Sequence, residues 1–203
     1  MAVNNLGELR ALVKDWANRK DIPDTIYNSF INLAQDRANR VLRIPVLEKV
    51  SATLPIVNGT IILPSDYLEA KALTITVAGR TMDLQRKDLP YVLSKELDSG
   101  HARYFAREAN KFILGPHGNV ITAKLSYYYV ASDLVNDADT NWFVEYGTDL
   151  LLYGALAELA LYTKNTEEAQ MFESKFRGAA AEIENMAMQA ESSGSTLGIV
   201  PSR

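Results

Sequence analysis

"TNWFVEYGTDLLLYGALAELALYT", residues 140–163, reads as an apolar helix interrupted by acids. From Trp142 to Tyr162 such a helix would run roughly 30 Å, enough to cross a bilayer. Glu145, Asp149 and Glu158 argue against that, because a carboxylate near mid-bilayer costs about 2–3 kcal/mol or more. No Lys or Arg cluster flanks the stretch to set a topology. The expectation is therefore a soluble protein in which this is the most buried helix. The opening residues, MAVNNLGELRALVK, have no apolar h-region, so no secretory signal is expected.

Working outward, the first 44 residues read as two helices. Leu6, Leu9, Val13 and Trp16 form a helical stripe, and "RKDIPD" breaks it. Asp21 is the expected N-cap of the second helix, with Pro23 in its first turn, where a missing N–H has no consequence. Ile26, Tyr27, Phe30, Leu33, Ala34, Ala38, Val41 and Leu42 mark its apolar face, and Pro45 ends it.

The period then changes. Asn58-Gly59 sits between β-branched residues, a strong hairpin signal because a type I′ turn needs two positive φ angles. Further hairpins are expected at Ala78-Gly79 and Ala109-Asn110, with a short helix over 88–97. "VITAKLSYYYV" alternates, with Ile121, Ala123, Leu125, Tyr127 and Tyr129 on one face. Hairpin-linked strands at this spacing predict a small antiparallel sandwich or open barrel.

Helical period returns after "ASDLVNDAD". Asp139 or Thr140 is the expected cap of the opening stretch, and Asn165 or Thr166 that of the last helix. The last helix carries Ala169, Phe172, Phe176, Ala179, Ala180, Ile183, Met186 and Met188. The final residues, SSGSTLGIVPSR, have no periodicity and read as a flexible tail.

The predicted fold is thus α+β. Residues 1–46 and 132–191 form a four-helix bundle, 47–131 form a β module inserted between its second and third helices, and 192–203 form the tail. Burying each large apolar side chain of the opening stretch contributes about 1.5–3 kcal/mol, which accounts for its composition without a functional role. Gly154 and the alanines let neighbouring helices approach closely.

The chain has 203 residues, 47% of them apolar, and a net charge of −4, with a mean hydropathy of −0.10. An acidic chain gives no global electrostatic case for nucleic-acid binding. Charge is unevenly spread: residues 1–43 carry seven Lys/Arg against five Asp/Glu, whereas 139–191 carry three against ten. A basic start and an acidic end can pair within one bundle or between copies. Cysteine is absent, which removes disulfides, thiol nucleophiles and Cys-based zinc sites.

Catalytic constellations are not found. His101 and His117 both fall in predicted β turns, so the Glu-x-x-His pairs of a dimetal bundle have no counterpart. Glu145 and Asp149, one turn apart, could share a cation in a carboxylate-dependent hydrolase, though solvated or interface acids are the commoner case. Glu158, alone in an apolar run, is expected to pair with an N-terminal arginine or an adjacent subunit. "GPHGN" does not lead from a strand into a helix, so it is no phosphate loop, and neither nucleophile elbow nor dinucleotide fingerprint occurs. Arg37, Arg40 and Arg43 form a basic stripe that would serve a nucleic-acid-binding module or face an acidic helix. No cofactor or metal site is expected.

Four segments together resemble a known family: "IPDTIYNSFINLAQDRANRVLRI", "LPSDYLEAKALTI", "LSYYYVASDL" and "TNWFVEYGTDLLLYGALAELALYTKNTEEAQMFESKFRGAAAEI". They are similar to the head-to-tail adaptor, or gateway, proteins of short-tailed bacteriophages. The likeness covers most of residues 20–190 and is sharpest from Trp142 to Tyr162. One departure is Gln35-Asp36, where the family leads one to expect a glutamate before Arg-x-x-Arg.

The resemblance implies a non-enzymatic virion protein, made in the host cytoplasm. It would form a ring, usually of twelve copies, between the portal protein and the tail nozzle protein. Double-stranded DNA would pass through its channel without sequence-specific binding, and no membrane is involved. Arg37, Arg40, Arg43, Glu145, Asp149 and Glu158 are the expected inter-helix or inter-subunit contacts. Leu197, Ile199 and Val200 would anchor the tail on the portal.

Overall fold

The computed structural model describes residues 3–19, 21–116 and 122–192. The elements begin with helices α1 (Leu6–Ala17) and α2 (Asp24–Val41). Strands β1 (Glu48–Val50), β2 (Leu54–Pro55), β3 (Thr60–Ile62), β4 (Tyr67–Val77), β5 (Arg80–Asp83) and β6 (Gln85–Arg86) follow. Then come α3 (Leu89–Ser94), β7 (Tyr104–Glu108), β8 (Lys111–Gly115) and β9 (Thr122–Tyr129). Helices α4 (Trp142–Tyr146), α5 (Thr148–Tyr162) and α6 (Thr166–Ser192) close the chain. They divide into two compact units: residues up to Pro45 with those from Ala131 onward, and Val46–Val130.

In the helical unit α5 packs against α1, α2 and α6. Being apolar all round, it is buried on most sides, from Leu150 through Ala160, interrupted by the half-buried Tyr153 and Glu158. A Cβ at Gly154 would lie 2.7 Å from the Ala34 Cβ and 3.1 Å from the Phe176 ring, so glycine is what lets α2, α5 and α6 converge there. Among the described residues no helix is long and apolar enough to cross a membrane.

Several local expectations are corrected. The stretch from Trp142 to Tyr162 is two helices, broken at Gly147 (φ −123°, ψ 33°). The Thr148 hydroxyl donates to the Val144 carbonyl at 2.6 Å, a back-bond that disturbs a helix beside a residue of low helix propensity. The cap of α4 is Asn141, not Asp139 or Thr140, its Oδ1 accepting from Val144 N–H at 3.2 Å. Asp21 does not cap α2; Pro23 stands at that position, and Asp21 instead takes two bonds from Arg19 at 2.8 Å. Asn165 does cap α6, accepting from Glu168 N–H at 3.3 Å.

The apolar stripes are narrower than the periodicity suggests. Leu6, Leu9 and Val13 are buried, but Trp16 is half exposed. On α2, Leu33 and Val41 face solvent while Gln35 and Asn39 are buried. On α6, Met186 and Met188 are exposed, beyond the segment that packs on α5.

The β unit has two sheets. One runs β1-β9-β4-β5, with β2 also on β9; the other runs β3-β8-β7-β6. Residues from both sheets, among them Ile61, Leu73, Phe105, Phe112, Leu125 and Tyr127, make one core. The Asn58-Gly59 turn has φ 49° and 68°, and Val57 and Thr60 exchange both backbone bonds across it. Its two arms nevertheless join different sheets, β2 through β9 and β3 through β8. The turns at Ala78-Gly79 (β4–β5) and Ala109 (β7–β8) form as expected.

The expectation of purely antiparallel strands is corrected at one pair: β6 and β7 run parallel. The chain between them passes through α3, the kind of long crossover a parallel pair requires. Val92 of α3 packs on Ala106 and Ile113, the second face of that sheet. A Cβ on Gly115 would come 2.7 Å from the Val92 carbonyl oxygen, so glycine permits this approach.

Candidate interaction surfaces

The phase of α2 turns Arg37 toward α5 and α6. Its Nη1 meets Glu158 Oε1 at 3.2 Å, and its Nη2 donates to Glu173 Oε2. The guanidinium also lies 4.3 Å from the centre of the Phe176 ring. Glu173 takes a second donor, Arg177 Nε at 2.8 Å. Burial alone would push the Glu173 carboxyl up, but the hydrogen bonds from Arg37 and Arg177 outweigh it and hold the group below its ordinary value. Part of the basic–acidic asymmetry of the sequence is thus used inside one chain, where one arginine joins three helices.

The other two arginines of the stripe differ. Arg43, past the end of α2, donates from Nη1 to the carbonyls of Asn39 and Leu42 at 3.0 and 2.8 Å. Arg40 is exposed and has no acidic partner among the described residues. It borders a groove of about 440 Å³ between α2 and α6, with Arg37, Val41, Phe176, Arg177 and Glu184 among the lining. The stripe is therefore not a row of three free cations.

Glu145 and Asp149 fall on different helices, at the end of α4 and the start of α5, either side of the break at Gly147. Both are exposed; Glu145 Oε1 accepts from the Thr140 hydroxyl at 3.2 Å. Between them stands Tyr146, 71% exposed and stacked on Trp142 at 6.1 Å. One turn beyond Asp149, Tyr153 meets Trp16 edge-on at 6.0 Å, with the Lys175 ammonium over both rings. Among the described residues no group of three His, Cys, Asp or Glu is placed to hold a metal ion. Leu197, Ile199 and Val200 lie outside the described residues.

Periodicity passed over the polar contacts that tie α2 to residues 131–141. Gln35 Nε2 donates to the Ser132 carbonyl at 3.1 Å, and Asn141 Nδ2 donates to Gln35 Oε1 at 2.7 Å. Asn39 Oδ1 accepts from the Ala131 N–H at 3.1 Å. From α1, Arg10 grips Asp137 of the same segment with both terminal nitrogens, at 2.8 and 2.9 Å, and holds its carboxyl below the ordinary range. Two polar residues in the core phase of α2, at 35 and 39, were the signal available in the sequence. Asn39→Ala is expected to cost about 1–3 kcal/mol, because it leaves a buried N–H unsatisfied. Denaturant unfolding checks this; a loss within about 0.5 kcal/mol would mean the Ala131 N–H finds another acceptor.

A protein-family model described as SU10 adaptor protein matches residues 4–199. No curated protein matches the chain.

Proposed function

The chain belongs to the SU10 adaptor protein family, a structural component of the phage virion, and from that premise we propose that it joins portal to tail. The match spans residues 4–199, and so draws on both compact units; that observation carries the reading. In it, copies of the chain close a ring, of twelve by likeness to the gateway adaptors, between the portal protein and the tail nozzle protein.

The long helices act as one bundle, residues 1–46 with 132–191, forming the ring wall and the portal contact. The inserted module, residues 47–131, faces the tail. The last residues, with Leu197, Ile199 and Val200, anchor on the portal. DNA passes through the ring without sequence-specific binding, and the chain's net charge of −4 suits a wall from which a polyanion must slide free.

Light-scattering mass after size exclusion tests the reading, with the protein alone and then mixed with the portal ring of the same phage. A gain of one adaptor per portal subunit is expected. A chain that stays monomeric and ignores the portal would reject the connector role and reopen the nucleic-acid-binding alternative. That alternative requires DNA affinity that falls steeply with salt.

A further inference from the structure

The groove beside Arg40 continues toward the end of α6. A second hollow, of about 240 Å³, lies between residues 43–45 and the stretch 184–191 of α6. Glu184 lines both hollows, so together they form one groove along α2 and α6. Val41, Phe176, Ile44 and Met188 give it an apolar lining. Val41 and Met188 are 51% and 65% exposed, and apolar surface left open in a concave place suits an apolar occupant.

Its charges balance within the chain. Four arginines line the groove against three glutamates, and Glu158 faces Arg37 as well. A charged partner gains little there, whereas an uncharged apolar segment loses nothing. Residues 193–202, SGSTLGIVPS, have no charged side chain and include Leu197, Ile199, Val200 and Pro201. They lie outside the described residues and begin two positions past Glu191, which lines the groove.

Reach favours the same occupant. From Ser192 to Ile199 the chain can extend about 23 Å, whereas from Ser192 back to Ala181, which lines the groove with Val41, α6 covers about 16 Å. Gly194 supplies a residue that accepts the positive φ of a reversal. We propose that residues 197–200 dock in the α2–α6 groove of their own chain, and so withhold the tail from the portal until the portal displaces them. A segment tethered a few residues away sits at a local concentration of about 1 mM or more, so a weak apolar contact keeps it docked. The docking stands on the groove and the segment; the withholding rests on the adaptor reading above.

The absence of cysteine makes a clean test possible. Val41→Cys with Ile199→Cys in one full-length chain, treated with a short bismaleimide, should cross-link at monomer mass and at a rate independent of protein concentration. Ser29→Cys with Ile199→Cys, the first thiol moved about 18 Å along α2, should link about tenfold more slowly. Adding Met188→Asp to the first pair should slow it to the rate of the second. Val41 and Met188 are exposed, so these variants should keep the native circular dichroism. On the portal ring of the same phage, Val41→Asp with Met188→Asp should bind about tenfold more tightly than the wild type, for a contact closed about nine-tenths of the time.

A 41–199 pair that links no faster than the 29–199 pair would overturn the docking. Links at dimer mass that grow with concentration would also overturn it, and would give the groove to a second copy. Loss of the cross-link with Met188→Asp, but no gain on the portal for the groove variant, would overturn the withholding. Chains that cross-link as expected and never bind the portal would reject the adaptor reading and leave the docking in place.

Discussion

Gly154→Leu is expected to abolish the folded helical unit, and Gly154→Ala to destabilise it by about 1–3 kcal/mol. The reason is distance. A single methyl at 154 would sit 2.7 Å from the Ala34 Cβ, a backbone-fixed atom on α2, and 3.1 Å from the Phe176 ring on α6. Neither neighbour is the far end of a flexible chain, so α2 and α6 must both back away from α5. Such a shift opens the core between α2, α5 and α6, where Ile31, Ala38, Leu150 and Leu151 are fully buried.

The helix gain from glycine to alanine, about 0.5–1 kcal/mol, offsets only part of this. Pairing Gly154→Ala with Ala34→Gly should restore much of the loss, since it removes one methyl where another is added. Thermal unfolding reads it: for a chain of this size each kcal/mol moves the midpoint by about 2–4 °C. A Gly154→Ala chain that melts with the wild type would mean that the three helices do not approach this closely.

Arg37→Met should cost about 1–3 kcal/mol near neutral pH, less than a fully buried pair because the groups are partly exposed. Methionine keeps some of the packing on Phe176 but leaves Glu158 and Glu173 facing the gap with no shared cation. The pH dependence separates this from lost packing. Glu173 lies below its ordinary value of 4.5 in the folded chain, so its pairing stabilises the fold above that value and is lost as pH falls through the folded value.

Without Arg37, only Arg177 is left to hold the same carboxyl down against burial, so protonation costs the variant less than the wild type. The gap between variant and wild type is therefore widest above about pH 5 and closes on acidification below 4.5. Denaturant midpoints taken across pH 3–7 would check it. A gap that stays constant over that range would assign the whole effect to packing. Adding Glu173→Gln to Arg37→Met should return part of the lost stability, because it removes one of the two carboxylates that Arg37 had joined, at the expense of the Arg177 pair.

The sequence alone determined what lay in short-range chemistry. The Asn58-Gly59 and Ala78-Gly79 turns follow from residues that accept positive φ, and α5 as the central helix follows from an apolar run with no polar face. The change from helical to alternating period separated the helical segments from the strands. A lone carboxylate in an apolar run requires a partner, which left an N-terminal arginine or an adjacent subunit open for Glu158; within the chain it meets Arg37.

Other features required the tertiary structure. Trp16, Leu33 and Val41 have the spacing of core residues, yet α1 and α2 meet their neighbours over narrower stripes, and those side chains reach solvent. Gln35 and Asn39 have the opposite history, polar by type but buried because the segment at Ala131–Asn141 brings partners to them. The arginine stripe is one line of the sequence, but helix phase gives each member a different environment. Arg37 is spent on two glutamates, Arg43 on main-chain carbonyls, and Arg40 is left at the rim of a groove. Which charge is free depends on what stands opposite each side chain, and that is set by the crossing of helices far apart in the chain.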